Sequence, residues 1–217
     1  MTEPSYLRAT RAAYDTVAVD YAERFSGELA AEPLDRALLA AFAELVRAAG
    51  AGPVADIGCG PGHVTAHLHS LGLTALGVDL SPAMVALARQ AHPGLRFDEG
   101  SMTALELADG ALGGIVALYS TIHLPPQQLP EAFAEFRRVL APGGHLLIAF
   151  QAGDECLHLT EAFGRPVSVD AYRRSPDHVA GLLSQAGLIV TARLLREPEQ
   201  AEKVRRAYLM ARRPGES

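Results

Sequence analysis

Asp56 stands two residues ahead of three alternate glycines, in the run Asp56-Ile57-Gly58-Cys59-Gly60-Pro61-Gly62. Alternating glycines let a ligand approach the backbone, and a helix that begins just beyond them offers unpaired N–H groups and the positive end of its dipole. A second aspartate, Asp79, ends the next apolar run, about twenty residues on, where a carboxylate can accept both hydroxyls of a ribose. His123 follows a later apolar run, and an imidazole of ordinary pKa near 6.5 suits proton removal around neutral pH. Tyr119 and His158 are further candidates for that task. His63 and His67 have the i, i+4 spacing of two zinc ligands on a helix.

Spacing separates these chemistries. The dinucleotide fingerprint G-x-G-x-x-G needs its third glycine at position 63, but that glycine comes one residue early, as Gly62, and His63 stands in its place. No Gly-Lys-Ser/Thr follows, so the turn is not a phosphate P-loop. Asp56 would repel a pyrophosphate and favour a cation. The zinc reading lacks the glutamate of H-E-x-x-H, since Val64 follows His63, and it lacks a third ligand nearby. Asp154, Glu155, His158 and Glu161 form only a loose set with the look of a solvated turn, so no metal is expected. Cys59 reads as a small packing residue. A ribose site, a backbone turn for a small anion and an acid near a cation together complement S-adenosylmethionine, with its ribose, carboxylate, ammonium and sulfonium.

The elements that must position these groups follow from apolar periodicity. Leu7, Tyr14, Ala18, Tyr21 and Phe25 predict a helix over Tyr6–Phe25, and Pro33 opens a second helix that Gly50 ends. Strand and helix then alternate. Strands are expected at Pro53–Ile57, Leu73–Val78, Leu95–Asp98, Gly114–Tyr119 and His145–Phe150. Helices are expected from the glycine turn to about Ser70, at Pro82–Ala91 behind a Ser81 cap, and at Gln127–Leu140, before the breaker Pro142-Gly143-Gly144. Such alternation predicts an α/β protein with a mostly parallel sheet covered on both faces. Gln151–Asp170 reads as a connector or lid, Ser175–Ala186 as a capped helix, and Leu188–Leu195 and Arg206–Ala211 as two last strands.

A chain of 217 residues, 49% hydrophobic and 20% charged, has a well-buried core and fits one domain. Its parts are a helical cap (1–50), a cofactor-binding core (53–150), a connector (151–174) and a C-terminal helix with strands (175–217). The formal net charge of −6 disfavours nucleic acid as a partner. Two cysteines, no apolar signal core and no membrane-length apolar run make the cytoplasm the expected compartment. Lys203 is the sole lysine, a bias that fits a GC-rich genome and a role in natural-product tailoring.

The stretches VADIGCGPG, LGVDLSPAMVALAR, FDEGSMTAL, IVALYSTIHL, EFRRVLAPGGHLLIAF and SPDHVAGLLSQAGL resemble, in order and spacing, the class I S-adenosylmethionine-dependent methyltransferases, in particular small single-domain members that act on small molecules. That resemblance implies a Rossmann-like, doubly wound, seven-stranded sheet with an antiparallel last strand. It implies that Gly58 and Gly60 lie against the methionine part of the cofactor and that Asp56 orients the turn or the ammonium. Asp79 would hold the ribose, Leu80 and Met84 the adenine face, and Ser101 and Met102 its edge. Leu118 would supply a backbone carbonyl, His123 would sit at the reaction centre, and Tyr14, Tyr21 and Arg24 would fold over the methionine end. Ser101 departs from the acid that many relatives carry there. The implied activity moves a methyl group to an O, N or C atom of a small organic acceptor, leaving S-adenosylhomocysteine, in a monomer or homodimer with no membrane partner. Three other activities compete with it: a nicotinamide-dependent oxidoreductase, a non-catalytic cofactor sensor, and an RNA or protein methyltransferase.

Overall fold

The computed structural model describes residues 3–25, 27–50, 52–199 and 202–215. Helices α1 (Ser5–Phe25), α2 (Glu28–Ala31) and α3 (Pro33–Ala49) precede the first strand. Strand β1 (Val54–Ile57), helix α4 (His63–Ser70), β2 (Ala75–Asp79), α5 (Pro82–Ala91), β3 (Arg96–Glu99) and β4 (Leu112–Leu118) then alternate. Two 3₁₀ turns lead into α6 (Leu129–Val139), β5 (Leu140–Gln151), β6 (Cys156–Ala162), β7 (Arg165–Tyr172), α7 (Pro176–Gln185), β8 (Ile189–Arg196) and β9 (Arg206–Arg212).

Seven strands form one sheet in the order β3-β2-β1-β4-β5-β9-β8. β1 to β5 run parallel, and β9 runs antiparallel to both neighbours, β5 and β8. Residue alternation divides the core between the two faces. Val116 and Leu147 pack with Leu39, Phe42 and Val46 of α3, whereas Ile115, Ala117 and Ile148 pack with Phe133 and Phe136 of α6 and Leu183 of α7. Each of these buried side chains larger than alanine contributes about 1.5–3 kcal/mol, which fixes the helices on the two faces of the sheet. Among the described residues, no helix is long and apolar enough to cross a membrane.

Strand order reverses between β1 and β4, and the crevice beyond their carboxyl ends is where open α/β sheets bind ligands. The glycine turn after β1, Asp79 at the end of β2 and His123 after β4 all lie at that edge.

Two expectations are corrected, and one element is added. The predicted connector Gln151–Asp170 is a two-stranded hairpin, β6 on β7, separate from the main sheet. Helix α6 stops at Val139, and β5 starts at Leu140, passing the Pro142-Gly143-Gly144 break through a register shift against β4 rather than beginning at His145. Short α2 was not expected, because four residues carry no periodicity.

Candidate functional site

Close approach of two loops explains the glycine turn. Gly58 has φ +75°, and a Cβ there would lie 2.2 Å from the Ser120 Cβ, so the turn after β1 and the loop after β4 meet only without a side chain. Gly62 has φ +88°, and its missing side chain is filled by the Phe97 ring, 2.8 Å from where a Cβ would stand. The early third glycine therefore serves packing against β3. Between them Gly60 leaves open space, its nearest neighbour being the Tyr21 ring at 3.9 Å, and its N–H donates to Asp79 Oδ2 at 2.8 Å.

Asp79 is fixed at both oxygens, since Oδ1 also accepts from the Ser81 N–H at 2.8 Å. Each oxygen keeps a lone pair for a further donor. Burial pushes the Asp79 pKa up, against the pull of the Ser81 and Gly60 N–H groups. Ser81 in turn caps α5 by accepting from the Met84 N–H at 3.2 Å, and its hydroxyl donates to Asp15 of α1 at 2.5 Å, tying that helix over the crevice.

The resulting pocket runs from Ser101 and Met102, past Asp79, Leu80 and Met84, to Gly58, Gly60, Leu118 and His123, roofed by Tyr14 and Tyr21. These eleven expected residues share one cleft. Two others lie elsewhere. Arg24 is exposed, its guanidinium 5.6 Å over the Phe25 ring and outside the lining of the cleft. Asp56 is buried behind the turn, accepting from the Thr65 hydroxyl at 2.7 Å, and lines an adjoining chamber with Glu28, Glu32, Asp35 and Arg206. That chamber carries more acids than bases, so it suits a cationic group.

Sequence reading missed Tyr6, Thr10 and Arg11, which line the same cleft from α1. Their signal was present: with Leu7, Tyr14 and Tyr21 they make one face at three-, four- and seven-residue spacing. Such a stripe reads as core until the structure shows it facing a pocket. Arg11 is already paired with Glu3, at 2.7 Å, and its Nε donates to the Leu80 carbonyl at 3.2 Å.

His123 is held on both sides. Its Nδ1 lies 2.7 Å from the Asp170 carbonyl of β7, which can only accept, so Nδ1 carries the proton. Nε2 is then the acceptor for the Tyr14 hydroxyl, 2.8 Å away. Burial pushes the His123 pKa down and the Tyr14 pKa up, so both are neutral around neutral pH. Buried Arg174 donates to the carbonyls of Thr121 and Leu124, fixing the loop that carries His123. Neither of the other two candidate bases has this placement. The Tyr119 hydroxyl is 2.9 Å from that of Tyr208, and burial raises its pKa. His158 sits on the opposite face of the hairpin, its Nδ1 2.7 Å from Asp170 Oδ1.

The apparent zinc pair has another setting. His63 and His67 each have an Nε2 without a hydrogen-bond partner, and the His63 ring meets His92 at 6.3 Å. Among the described residues, no three His, Cys, Asp or Glu side chains are grouped to hold a metal ion.

Asp56 gives a pH-dependent expectation. Burial pushes its pKa up to about 7, from 3.8, with the Thr65 hydroxyl opposing and the Asp79 charge assisting. Native Asp56 thus keeps a proton that the unfolded chain releases, and stability falls as pH rises between those two values. Asp56→Asn keeps an acceptor for Thr65 without the titration. Its stability relative to wild type is expected to improve from pH 5 to pH 8, by on the order of 1–3 kcal/mol. Urea unfolding of the ligand-free proteins at both pH values checks this, and a pH-independent difference contradicts it.

Residues 54–144 match the methyltransferase domain family. Malonyl-[acyl-carrier protein] O-methyltransferase of Pectobacterium atrosepticum is 34% identical over 113 residues, 52% of this chain and 44% of that one. The chain spans about half the length, or less, of the curated relatives it matches. Among solved structures, the DhpI–SAH complex superposes with a TM-score of 0.71 at 20% identity, covering 99% of both chains. The [4+2]-cyclase SpnF does so with a TM-score of 0.71 at 18% identity, covering 100% of this chain and 99% of that one. Residues 54–144 thus match the methyltransferase domain family, and they lie at the centre of a chain that shares the Rossmann-like fold of these solved structures.

Proposed function

We propose that the protein is an S-adenosylmethionine-dependent methyltransferase that moves a methyl group to an O, N or C atom of a small organic acceptor. The observation that carries this reading is the cleft at the β1–β4 switch point. In it, Asp79 presents two anchored oxygens with spare lone pairs beside the open face of Gly60. The residues fit the cofactor. Asp79 suits two ribose hydroxyls; Leu80, Met84, Ser101 and Met102 suit an adenine; and the acid-rich chamber beyond Gly60 suits an ammonium. They do not fit a pyrophosphate, because Asp79 and Arg11 are the only carboxylate and guanidinium side chains among the described lining residues, Arg11 is neutralised by Glu3, and His123 is neutral. The name of the DhpI–SAH complex agrees with this choice of cofactor, and the relatives' names agree with the activity.

When bound, the cofactor supplies an electrophilic methyl group on a sulfonium. The chain's own tasks are to hold the acceptor in line with it, to exclude water and to take up any proton the acceptor must lose. α1 and the hairpin supply the enclosure. Phe163 at the hairpin turn packs edge-on against Tyr21 and Phe25, with centroids at 5.9 and 6.0 Å. A second cavity, of about 420 Å³, lies between these elements and meets the cofactor cleft at Tyr14, Tyr21 and His123, which line both. It is the acceptor chamber in this reading. A protic acceptor placed there gives its proton to the Tyr14 oxygen while the Tyr14 proton passes to His123 Nε2.

Calorimetric titration with S-adenosylhomocysteine and with NADH, followed by labelled methyl transfer into an acceptor panel, tests the proposal. Binding of the first ligand, no tight binding of NADH and label in a small acceptor are expected. Tight NADH binding alone would restore the oxidoreductase reading. The likeness to SpnF favours one other reading, a protein that uses this fold for chemistry without methyl transfer. Cofactor binding with no label in any acceptor would support it.

A further inference from the structure

We infer that the acceptor is an apolar-bodied carboxylic acid whose carboxylate is anchored by Arg173 and Lys203, away from the atom that is methylated. The inference rests on the assignment of the 420 Å³ cavity as the acceptor chamber. Strand alternation makes the chamber wall. Leu157 and Leu159 of β6, and Val167, Val169 and Ala171 of β7, all face it, with Val17 of α1 opposite. That wall takes a hydrocarbon or aromatic body.

Charge is distributed differently. The protein carries a formal net charge of −6, yet no carboxylate side chain lines the chamber among the described residues. Its two fully charged side chains are both cations, Arg173 and Lys203, and Lys203 is the sole lysine of the chain. Arg173 continues the inward alternation of β7 by one step, so its stem leaves the strand on the chamber side. Its Nη1 contacts the exposed Glu155 at 3.2 Å, but its Nε is buried without a hydrogen-bond partner. Lys203 has no carboxylate partner among the described residues. Backbone bonds gather both at one end: the Arg174 N–H donates to the Gln151 carbonyl at 3.0 Å, and the Ala152 N–H to the Arg205 carbonyl at 2.9 Å. Gln151 also lines the chamber there and adds a neutral hydrogen-bonding group.

The other end is marked by His123 on the Asp170 carbonyl. Arg173 lies three residues further along, roughly 10 Å of strand at 3.3 Å per residue. A carboxylate clamped between two cations is a poor nucleophile and needs no base. A neutral Tyr14–His123 pair is suited instead to a hydroxyl or amine at the opposite end of the same molecule. The acid is therefore the handle, and a protic atom remote from it receives the methyl group.

The test uses hexanoate, octanoate and decanoate, with their primary amides, titrated calorimetrically into protein saturated with S-adenosylhomocysteine. At least one acid is expected to bind about tenfold or more tighter than its amide, as charge-assisted hydrogen bonds provide. The double variant Arg173→Gln with Lys203→Gln should erase that preference while retaining wild-type affinity for S-adenosylhomocysteine. If S-adenosylhomocysteine does not bind the wild type, the methyltransferase reading falls, and this inference with it. If it binds but the acids bind no tighter than the amides, or the preference survives the double substitution, the inference alone is overturned.

Discussion

Replacing Asp79 by alanine is expected to weaken S-adenosylhomocysteine binding by roughly 30- to 1000-fold, the equivalent of about 2–4 kcal/mol. Two losses combine. The side chain accepts from the Gly60 and Ser81 N–H groups, so its removal leaves both donors unmatched and loosens the turn against which the ligand lies. It also removes the acceptors that the proposed function assigns to two ligand hydroxyls. Asp79→Asn keeps one oxygen and exchanges the other for a donor, so an intermediate loss is expected. Because burial raises the Asp79 pKa, wild-type affinity should begin to fall with decreasing pH earlier than for an exposed aspartate. Calorimetry over a pH series measures all three effects, with thermal melting as a check on folding. Unchanged affinity in a folded Asp79→Ala protein would remove the residue from the ligand site and weaken the assignment of the cleft.

Much of this site is legible before any coordinates. Asp79, Ser81 and Pro82 are adjacent in sequence, and strand end, cap and first helical turn follow from local chemistry alone. Gly58 and Gly62 can be recognised as a turn, but their separate reasons cannot. One depends on Ser120, the other on Phe97, and neither partner is near in sequence. The hairpin was hidden for a local reason. A two-residue hairpin loop with positive φ at both positions is normally marked by Asn-Gly or Asp-Gly, and here Phe163-Gly164 adopts it, with φ of 54° and 72°. Pro166 and the interspersed charges of Glu155, Glu161 and Asp170 blur the strand alternation further. That Arg24 stands outside the lining of the cleft was hidden for another reason: charge complementarity identifies a suitable partner for a carboxylate, but it does not fix which side of a helix end faces the cleft. The adjoining chamber was invisible because Glu28, Glu32 and Asp35, which come from α2, α3 and the link between them, meet Asp56 only through tertiary packing.

Tyr14→Phe and His123→Ala are each expected to lower turnover by about 10²–10⁴-fold on an acceptor that must lose a proton, the usual contribution of a positioned acid–base group. The two act through one hydrogen bond of 2.8 Å, so the double variant should be little worse than either single variant. This non-additivity separates a relay from two independent contacts. Tyr14→Phe retains the ring that roofs the cleft, so affinity for S-adenosylhomocysteine should change little, and the effect should appear in turnover. The pH profile gives a second test. His123 must be neutral to receive the proton, and burial holds its pKa below the usual histidine range, opposed by its bond to the Asp170 carbonyl. The acid limb of activity should therefore lie below about pH 6.5 and disappear in His123→Ala. An acceptor already ionised at the assay pH should be methylated at similar rates by all four proteins, because positioning then does the work alone. If both single variants match wild-type turnover on a protic acceptor at every pH, the relay is refuted. Tyr14 would then be only a wall of the cleft, and His123 only an anchor between α1 and β7.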